Sequence, residues 1–167
     1  LYDADYEEDR MTVVQSLLLR SFWWKEANEQ KDGWHWVGVA FSVARSIDLD
    51  CAGTDQDGSN RALRHRRKQL WWALCNREVI ASCDMGRAPG VRDDEQTVPV
   101  LNLDDFHYDG ITSGPFCGMA CPTEGQHLIL ARISVEFVKL NRIFNKILET
   151  VCRNKTAIRT TGLRSAE

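Results

Sequence analysis

The sequence lacks several features that would have assigned it to a class at once. It has no run of about 18 apolar residues, so it predicts no helix that crosses a membrane. It contains none of the glycine-rich phosphate-binding loops, and no G-x-S-x-G nucleophile motif. Its net charge of −3 lacks the positive excess with which a self-sufficient nucleic-acid-binding module neutralises phosphates. These absences leave a globular domain without a recognisable active site.

Six cysteines are present, but none of them form a C-x-x-C pair. Cys75 and Cys83 stand among apolar residues of a helix-like segment, which predicts buried, reduced thiols of an intracellular protein rather than a disulfide framework. The chain also lacks a starting methionine, and residues 1–9 are acidic without the layout of a signal peptide. We therefore expect a piece of a longer protein.

Apolar residues recur at three- and four-residue spacing in four segments, at about 9–24, 32–48, 61–85 and 123–152. No convincing pair of strands is present. The pattern predicts an all-α fold, a multi-helix domain of residues 1–152 with long extended and irregular connecting loops. A basic and polar segment, residues 153–167, is expected to be a frayed tail or a truncated continuation.

The segment at 123–152 has the most regular helical pattern in the chain. Thr123 and Gln126 have the spacing of a capping box at its start. Residues 108–122 before it are rich in glycine and read as a variable loop. Seven apolar residues form one stripe along the predicted helix: Ile129, Ile133, Phe137, Leu140, Phe144, Ile147 and Val151.

All six tryptophans lie before residue 73. Indole rings bury much area and carry one N–H that needs a partner, so such a cluster builds either a packed core or a groove between helices. We take the groove between the first three helices as the candidate docking site for an effector or partner, with a plain core as the alternative. The residues of this candidate groove are Trp23, Trp24, Trp34, Trp36, Trp71 and Trp72.

Charged residues form two further groups. The basic octet 61–68 is either a phosphate-contacting or nuclear-localisation patch, or the solvated first turns of a helix. Arg67 and Arg87 are predicted to form structural ion pairs with acids at 93–95 or 104–105. The acidic residues proposed for these pairs are Asp93, Asp94 and Asp104.

Two catalytic or metal-binding alternatives carry less weight. The paired carboxylates suggest a Mg²⁺ site of the kind that all-α diphosphate enzymes use, but they lie on a proline-punctuated extended stretch without a second motif. His107, Cys117, Cys121 and His127 offer zinc ligands, but their spacing matches no common zinc pattern. We therefore predict no catalytic residue and no metal ligand in this chain.

Four motifs in order resemble the fungal-specific transcription factor domain, the middle homology region of fungal binuclear zinc-cluster regulators, in the variety of the cutinase and xylanolytic activators. They are the V-x-x-L-L-L-x-S helix at 14–21, the W-x-x-x-G-x-A helix that starts at Trp34, the basic turn before Trp71 and Trp72, and Gly86-Arg87 followed by the V-P-x-L-x-L-D-D-F stretch at 98–106. The resemblance covers about residues 9–107. One departure is Asp48, which replaces the glycine that usually ends the second helix.

The resemblance implies a regulatory domain of a nuclear transcription factor, which restrains activity until a metabolite effector or a co-regulator protein binds. DNA contact and the zinc of the family's six-cysteine cluster would belong to an N-terminal DNA-binding domain outside this chain, so no cofactor is expected here. A homodimer of the full-length protein is compatible with the resemblance, and no membrane contact is implied. The alternatives are an all-α enzyme with a Mg²⁺-binding carboxylate site, and a free-standing helical ligand-binding or scaffold protein.

Overall fold

The computed structural model describes residues 7–23, 31–54, 60–106 and 123–164. Side chains in the last range are described up to Cys152, apart from Glu124. Within these ranges the chain is helical, with short 3₁₀ turns and no strand, so the predicted all-α class is confirmed. None of the described helices is long and apolar enough to pass through a membrane. The four α-helices are α1 (Arg10–Arg20), α2 (Gly33–Ser46), α3 (Arg61–Met85) and α4 (Glu124–Arg164).

Each helix begins where a polar side chain caps it. The side chains of Asp9, Asp32 and Asn60 accept hydrogen bonds from backbone N–H groups in the first turns of α1, α2 and α3. These bonds satisfy donors that have no partner inside the helix. Gly86 ends α3 in the left-handed conformation, at φ 62°, which glycine adopts without steric cost.

The capping box predicted for α4 is confirmed. The N–H of Thr123 donates to Oε1 of Gln126 over 2.8 Å, and the N–H of Gln126 donates back to Oγ1 of Thr123 over 3.4 Å. The sequence predicted that this helix ends near Cys152. In the structure it continues to Arg164. At the other end of the chain α1 stops at Arg20, short of the predicted Trp24.

The core lies between α1, α2 and α3. α2 packs between the other two helices, and Phe41 of α2 meets Trp71 of α3 edge to face, with ring centroids 5.4 Å apart. The small residues Ala40 and Ala44 of α2 are fully buried in this core. The core residues from these helices include Val14, Leu17, Val37, Ala40, Ala44, Leu70, Trp72 and Leu74.

Residues 86–106 form a strap that crosses α3 and brings it into contact with α4. The strap contains 3₁₀ turns at Asp93–Glu95 and Leu103–Phe106, and it buries Val91, Val98 and Leu101. Its extended course agrees with the proline-punctuated extended stretch that the sequence predicted, and its apolar residues belong to the core.

α4 packs against the core with the face opposite to its apolar stripe. Its inner face consists of Ala131, Val135, Val138, Asn141 and Asn145, which are all buried. The outer face points away from the core, with side chains between 41% and 60% exposed. Its residues are Ile129, Leu130, Ile133, Phe137, Leu140, Ile143, Ile147 and Val151.

Several predictions about individual positions were wrong. The predicted burial of Cys75 is confirmed, and it raises the pKa of the thiol, whereas the predicted burial of Cys83 is wrong, because Cys83 is exposed. Phe22 lies within the predicted first helical segment, but it follows the end of α1 and is 55% exposed. Gly38, the glycine of the W-x-x-x-G-x-A motif, has open space around it. The close approach occurs at Gly33, where an added Cβ would lie 2.7 Å from the carbonyl oxygen of Ser21.

Candidate functional site

The structure divides the tryptophans into a buried pair and a surface group. Trp71 and Trp72 are 3% and 2% exposed and belong to the core. The indole N–H of Trp71 donates to the side chain of Gln96, and that of Trp72 donates to the carbonyl of Pro99, each over 2.9 Å. These two tryptophans therefore attach the strap to α3 and do not line an open groove.

The other described tryptophans lie near the ends of α1 and α2. Trp23 is 70% exposed, Trp34 is 36% exposed, and Trp36 is half-buried. Trp24 lies outside the described residues. Of the six tryptophans of the predicted groove, Trp23, Trp34 and Trp36 therefore lie wholly or partly at the surface. Phe22, next to Trp23 in the chain, is also exposed.

Cations cover the faces of three of the surface rings. We call this group the aromatic–cation patch: it comprises the rings of Phe22, Trp34 and Trp36 and the side chains of Arg20, Lys31, Arg77 and Arg87. The guanidinium carbons of Arg77 and Arg87 lie 4.6 and 4.7 Å from the ring centroids of Phe22 and Trp34. Arg20 and Lys31 approach Trp36 at 5.4 and 5.5 Å. At exposed sites each such contact contributes about 0.5–1 kcal/mol.

Arg77 anchors the patch to the three-helix core. Its Nε donates to Oγ of Ser21 over 3.0 Å, and its Nη2 donates to the Ser21 carbonyl over 2.6 Å. The same carbonyl lies close to Gly33, so the C-terminus of α1, the N-terminus of α2 and the middle of α3 meet here. The patch is consequently held by rigid elements.

One polar group of the patch has no hydrogen-bond partner among the described residues. The indole Nε1 of Trp36 is buried and has no hydrogen-bond partner in the part of the chain that the structure describes. A buried donor without a partner costs about 1–3 kcal/mol. Together with four cations over partly exposed rings, this donor makes the patch suited to a partner that carries apolar groups next to carboxylates or other acceptors.

The predicted ion pairs are present in part, but with different partners. Asp93, which is buried, pairs with Arg142 and Lys146 of α4, at 2.5 and 3.1 Å. The hydrogen bond from Arg142 holds the pKa of the Asp93 carboxyl below its ordinary value, against the opposing effect of burial. Asp94, by contrast, makes an exposed pair with Arg92. The sequence had proposed Arg67 or Arg87 as the partner of Asp93, and that assignment was wrong.

Arg67 and Arg87 have other contacts. Nη2 of Arg67 donates to the carbonyls of Ile47 and Asp48, at 2.9 and 2.8 Å, and so caps the C-terminus of α2. Arg87 lies over the ring of Trp34. Asp104 is exposed and has a partner of its own.

The sequence analysis did not predict the buried ion pair between Lys68 and Asp105. Lys68 and Asp105 are 6% and 5% exposed and lie 2.6 Å apart, Nζ to Oδ2. The same carboxylate oxygen accepts the N–H of Asn102, and the Asp105 carbonyl accepts a hydrogen bond from Gln69. One signal was available, because Lys68 precedes Trp72 by one helical turn and shares its buried face. The basic octet therefore has an exposed beginning and an inward-facing end.

The alternative sites find little support in the described residues. Both oxygens of Asp93 bind cations of α4, so this carboxylate does not present a free face to Mg²⁺. Within the described ranges no group of three or more histidine, cysteine, aspartate or glutamate side chains is placed to hold a metal ion. Of the four predicted zinc ligands, His127 lies within the described ranges. His107, Cys117 and Cys121 lie outside them, so the structure does not test the zinc alternative at 107–127.

A cleft of about 700 Å³ lies away from the tryptophans, between the strap and α4. Val100, Leu101, Leu103 and Val135 form its apolar wall, and charged side chains of α4 stand along its edge. Sequence reasoning did not find it, because its two walls are distant in the chain.

Comparison of the sequence with known proteins places this chain in a family. The family model described as the fungal specific transcription factor domain matches residues 1–165. The chain is similar to cutinase transcription factor 1 beta of Fusarium vanettenii, at 37% identity over 109 residues, and to cutinase transcription factor 1 alpha of the same organism, at 34% over 110 residues. Each alignment covers 65% of this chain. The transcription factor cpaR of Aspergillus oryzae is 26% identical over 156 residues, or 89% of this chain.

The chain spans a small part of these relatives, 12% of each cutinase transcription factor and 25% of cpaR. The stretch shared with the cutinase factors is close in length to the part of the chain in which the sequence motifs had been found. No solved structure matches the chain.

Proposed function

We propose that this chain, which belongs to the fungal-specific transcription factor domain family, is the regulatory domain of a longer zinc-cluster transcription factor and restrains its activity until an effector or partner binds. The match of the family model over residues 1–165 carries the proposal. The names of the curated relatives, which are transcription factors and regulatory proteins, support it. In this role the domain binds an effector or partner and catalyses no reaction.

In this proposal the domain reads no DNA itself. DNA contact and zinc belong to a zinc-cluster domain outside residues 1–167, and the protein acts in the nucleus. The supporting observations are the net charge of −3 and the inward turn of Arg67 and Lys68, which removes two cations from the basic octet. This chain needs no cofactor for the proposed role.

The aromatic–cation patch is our candidate for the effector or co-regulator contact. An effector shifts a conformational equilibrium only by as much as its affinities for the two states differ. The patch meets this requirement because it is assembled from three helices, so any change in their packing alters the spacing of its rings. An occupant that pairs with Arg87 only while the ring of Trp34 lies beneath it would favour the packed state.

A reporter fusion tests this function. Residues 1–167 are inserted between a heterologous DNA-binding domain and a constitutive activation domain in a fungal host. We expect reporter expression to fall relative to a fusion with a flexible linker of equal length. The double substitution Trp34→Ala with Arg87→Ala should keep the fusion restrained on growth media that release the parent fusion, because it removes the most exposed tryptophan of the patch and the cation that covers it.

The matched control is Leu63→Ala, at a side chain that is 38% exposed, against 36% for Trp34, and lies outside the patch. The control fusion should be released on the same media as the parent, and both variants should keep the circular dichroism and abundance of the parent. Equal expression from the domain and linker fusions would contradict the restraining role. Release of the patch variant on the same media as the parent would remove the patch from the proposal while leaving the domain's role intact.

A further inference from the structure

The cleft between the strap and α4 has the size and the lining of a small-molecule site. Its volume of about 700 Å³ falls within the range of about 300–1,000 Å³ that is usual for ligand pockets. Three side chains of the strap, Val100, Leu101 and Leu103, line one wall, and Val135 of α4 lines the other. All four are aliphatic, and Leu101 and Val135 also belong to the core. An occupant with an aliphatic body therefore finds apolar surface on both walls.

The charges at the α4 edge of the cleft leave one cation without a counter-ion. Lys139 pairs with Glu136 over 2.8 Å, so these two side chains neutralise each other. Arg132 lies one turn before Glu136 on the same edge, is exposed, and forms no ion pair with any residue that the structure describes. The edge therefore carries a net positive charge at Arg132. A guanidinium group binds a carboxylate through two parallel hydrogen bonds.

The strap supplies a hydrogen-bond donor on the opposite wall. Oδ1 of Asn102 accepts the N–H of Asp105 over 3.1 Å, and the Nδ2 amide of Asn102 donates to none of the described residues. The carboxylate of Asp105 itself pairs with Lys68, so it adds no uncompensated negative charge beside the cleft. Asn102 lines the cleft, and a bound carboxylate thus has a cation on α4 and an amide donor on the strap within its site.

We propose that this cleft binds a small aliphatic carboxylate, and that the occupant holds α4 against the strap. The aliphatic body packs between Leu101 and Val135, while the carboxylate pairs with Arg132. The amide of Asn102 donates to the second side of the same carboxylate.

The position of the cleft explains why its occupant would hold α4. One wall belongs to the strap and the other to α4, so the complete site exists only while α4 is docked. The ligand consequently has a higher affinity for the docked state and shifts the equilibrium toward it. The site is separate from the aromatic–cation patch, and its occupancy does not depend on the restraint of transcription.

Calorimetric titration of the 167-residue chain with octanoate tests the site. We expect a dissociation constant of about 1 mM or below. Octylammonium has a similar length and the opposite charge, and it should bind about tenfold more weakly, because it places a cation beside Arg132. Arg132→Gln should weaken the binding of octanoate about tenfold without changing the circular dichroism, since this side chain is exposed.

The matched control is Arg66→Gln, at an exposed arginine of α3 that does not line the cleft. This variant should bind octanoate with the affinity of the parent. No binding of octanoate at about 10 mM would overturn the proposal. Equal affinities for octanoate and octylammonium, or an Arg132→Gln variant that binds octanoate like the parent, would overturn it as well.

Hydrogen exchange tests whether the ligand holds α4. At about ten times the dissociation constant of octanoate, the inner-face amides of α4 should exchange about tenfold more slowly, because α4 must release the ligand before it opens. Arg132→Gln at the same octanoate concentration should show a smaller effect. Exchange of these amides that octanoate leaves unchanged would overturn the holding role. The reporter fusion measures restraint and not ligand binding, so a failure of this proposal and a failure of the proposed function are distinguishable.

Discussion

α3 and α4 both contact the strap, but they distribute polar and apolar residues in opposite ways. α3 buries Trp71, Trp72, Leu70 and Leu74 and encloses one ion pair, Lys68 with Asp105, among them. α4 turns its leucines, isoleucines and phenylalanines outward and places Asn141, Asn145 and Arg142 against the core. Its inner contacts include hydrogen bonds to Asn76 and Val91 and the ion pair with Asp93.

This difference shows that hydrophobic periodicity identifies a helix without identifying the face that meets its own domain. A surface helix normally buries its apolar stripe. α4 has two faces that each suit an interface, one narrow and partly polar, the other wide and apolar. Position-specific hydrogen bonds select the inner face, and the outer face remains available to a partner.

The largest effect is expected from breaking the ion pair of α3. Asp105→Ala leaves the ammonium group of Lys68 buried without a counter-charge, which should lower the free energy of unfolding by about 3–5 kcal/mol. Urea unfolding followed by circular dichroism measures this change. The neighbouring Asp104→Ala removes an exposed carboxylate and should cost less than about 1 kcal/mol. Equal losses in the two variants would contradict the structural role of the buried pair.

The ion pairs of Asp93 with α4 should contribute less to the free energy of unfolding than the pair of Lys68 with Asp105. The reason is that Lys146 is largely exposed and Arg142 is partly exposed. We expect Asp93→Ala to cost about 2–3 kcal/mol at neutral pH. Since the folded-state pKa of Asp93 lies below its ordinary value of 3.8, its contribution is present above that pH and is lost as the pH falls through the folded pKa. Unfolding curves of parent and variant should therefore converge in acid. The control, Asp94→Ala, should change stability by less than about 1 kcal/mol, and a difference between parent and Asp93→Ala that persists in acid would contradict the assignment.

A matched pair of truncations separates the two faces of α4. Val138 is 1% exposed on the inner face and Leu140 is 60% exposed on the outer face. At a concentration at which the chain is monomeric, Val138→Ala should cost about 2 kcal/mol and Leu140→Ala less than about 0.5 kcal/mol. Chemical unfolding at low concentration measures both. A larger loss from Leu140→Ala would mean that the outer face is buried within the single chain.

The smallest effect is a gain in stability at the end of α2. Asp48 is the only described non-glycine residue with a positive φ, 52°, and its side chain makes no capping bond. Asp48→Gly should stabilise the domain by about 0.5–1 kcal/mol, because glycine adopts this conformation without a Cβ clash. The carbonyl that accepts from Arg67 is retained. Thermal unfolding measures the gain, and Gly86→Ala, at φ 62°, is the converse control, which should destabilise the domain.

Much of the fold could be predicted from the sequence because local signals agreed with one another. α3 has the predicted limits, since Asn60 and Gly86 provide unambiguous ends. Asp48 stands where the family has glycine, and its left-handed backbone gives that departure a physical meaning. The partners of Asp93 could not be predicted, because they depend on which face of α4 meets the core. The partner of Asp105 depends on where the strap crosses α3. Composition alone likewise could not tell that Trp34 lies at the surface and that Trp72 is buried.

The central claim is that α4 docks through a limited, partly polar face onto a core that α1, α2 and α3 form with the strap. Native-state hydrogen exchange on the 167-residue chain tests it directly, with the parent compared with Asp93→Ala. We predict that inner-face amides of α4 exchange through an opening of lower free energy than the central amides of α3, and that the substitution lowers protection in α4 far more than in α3. Equal opening free energies in the two helices, lowered equally by the substitution, would contradict the claim.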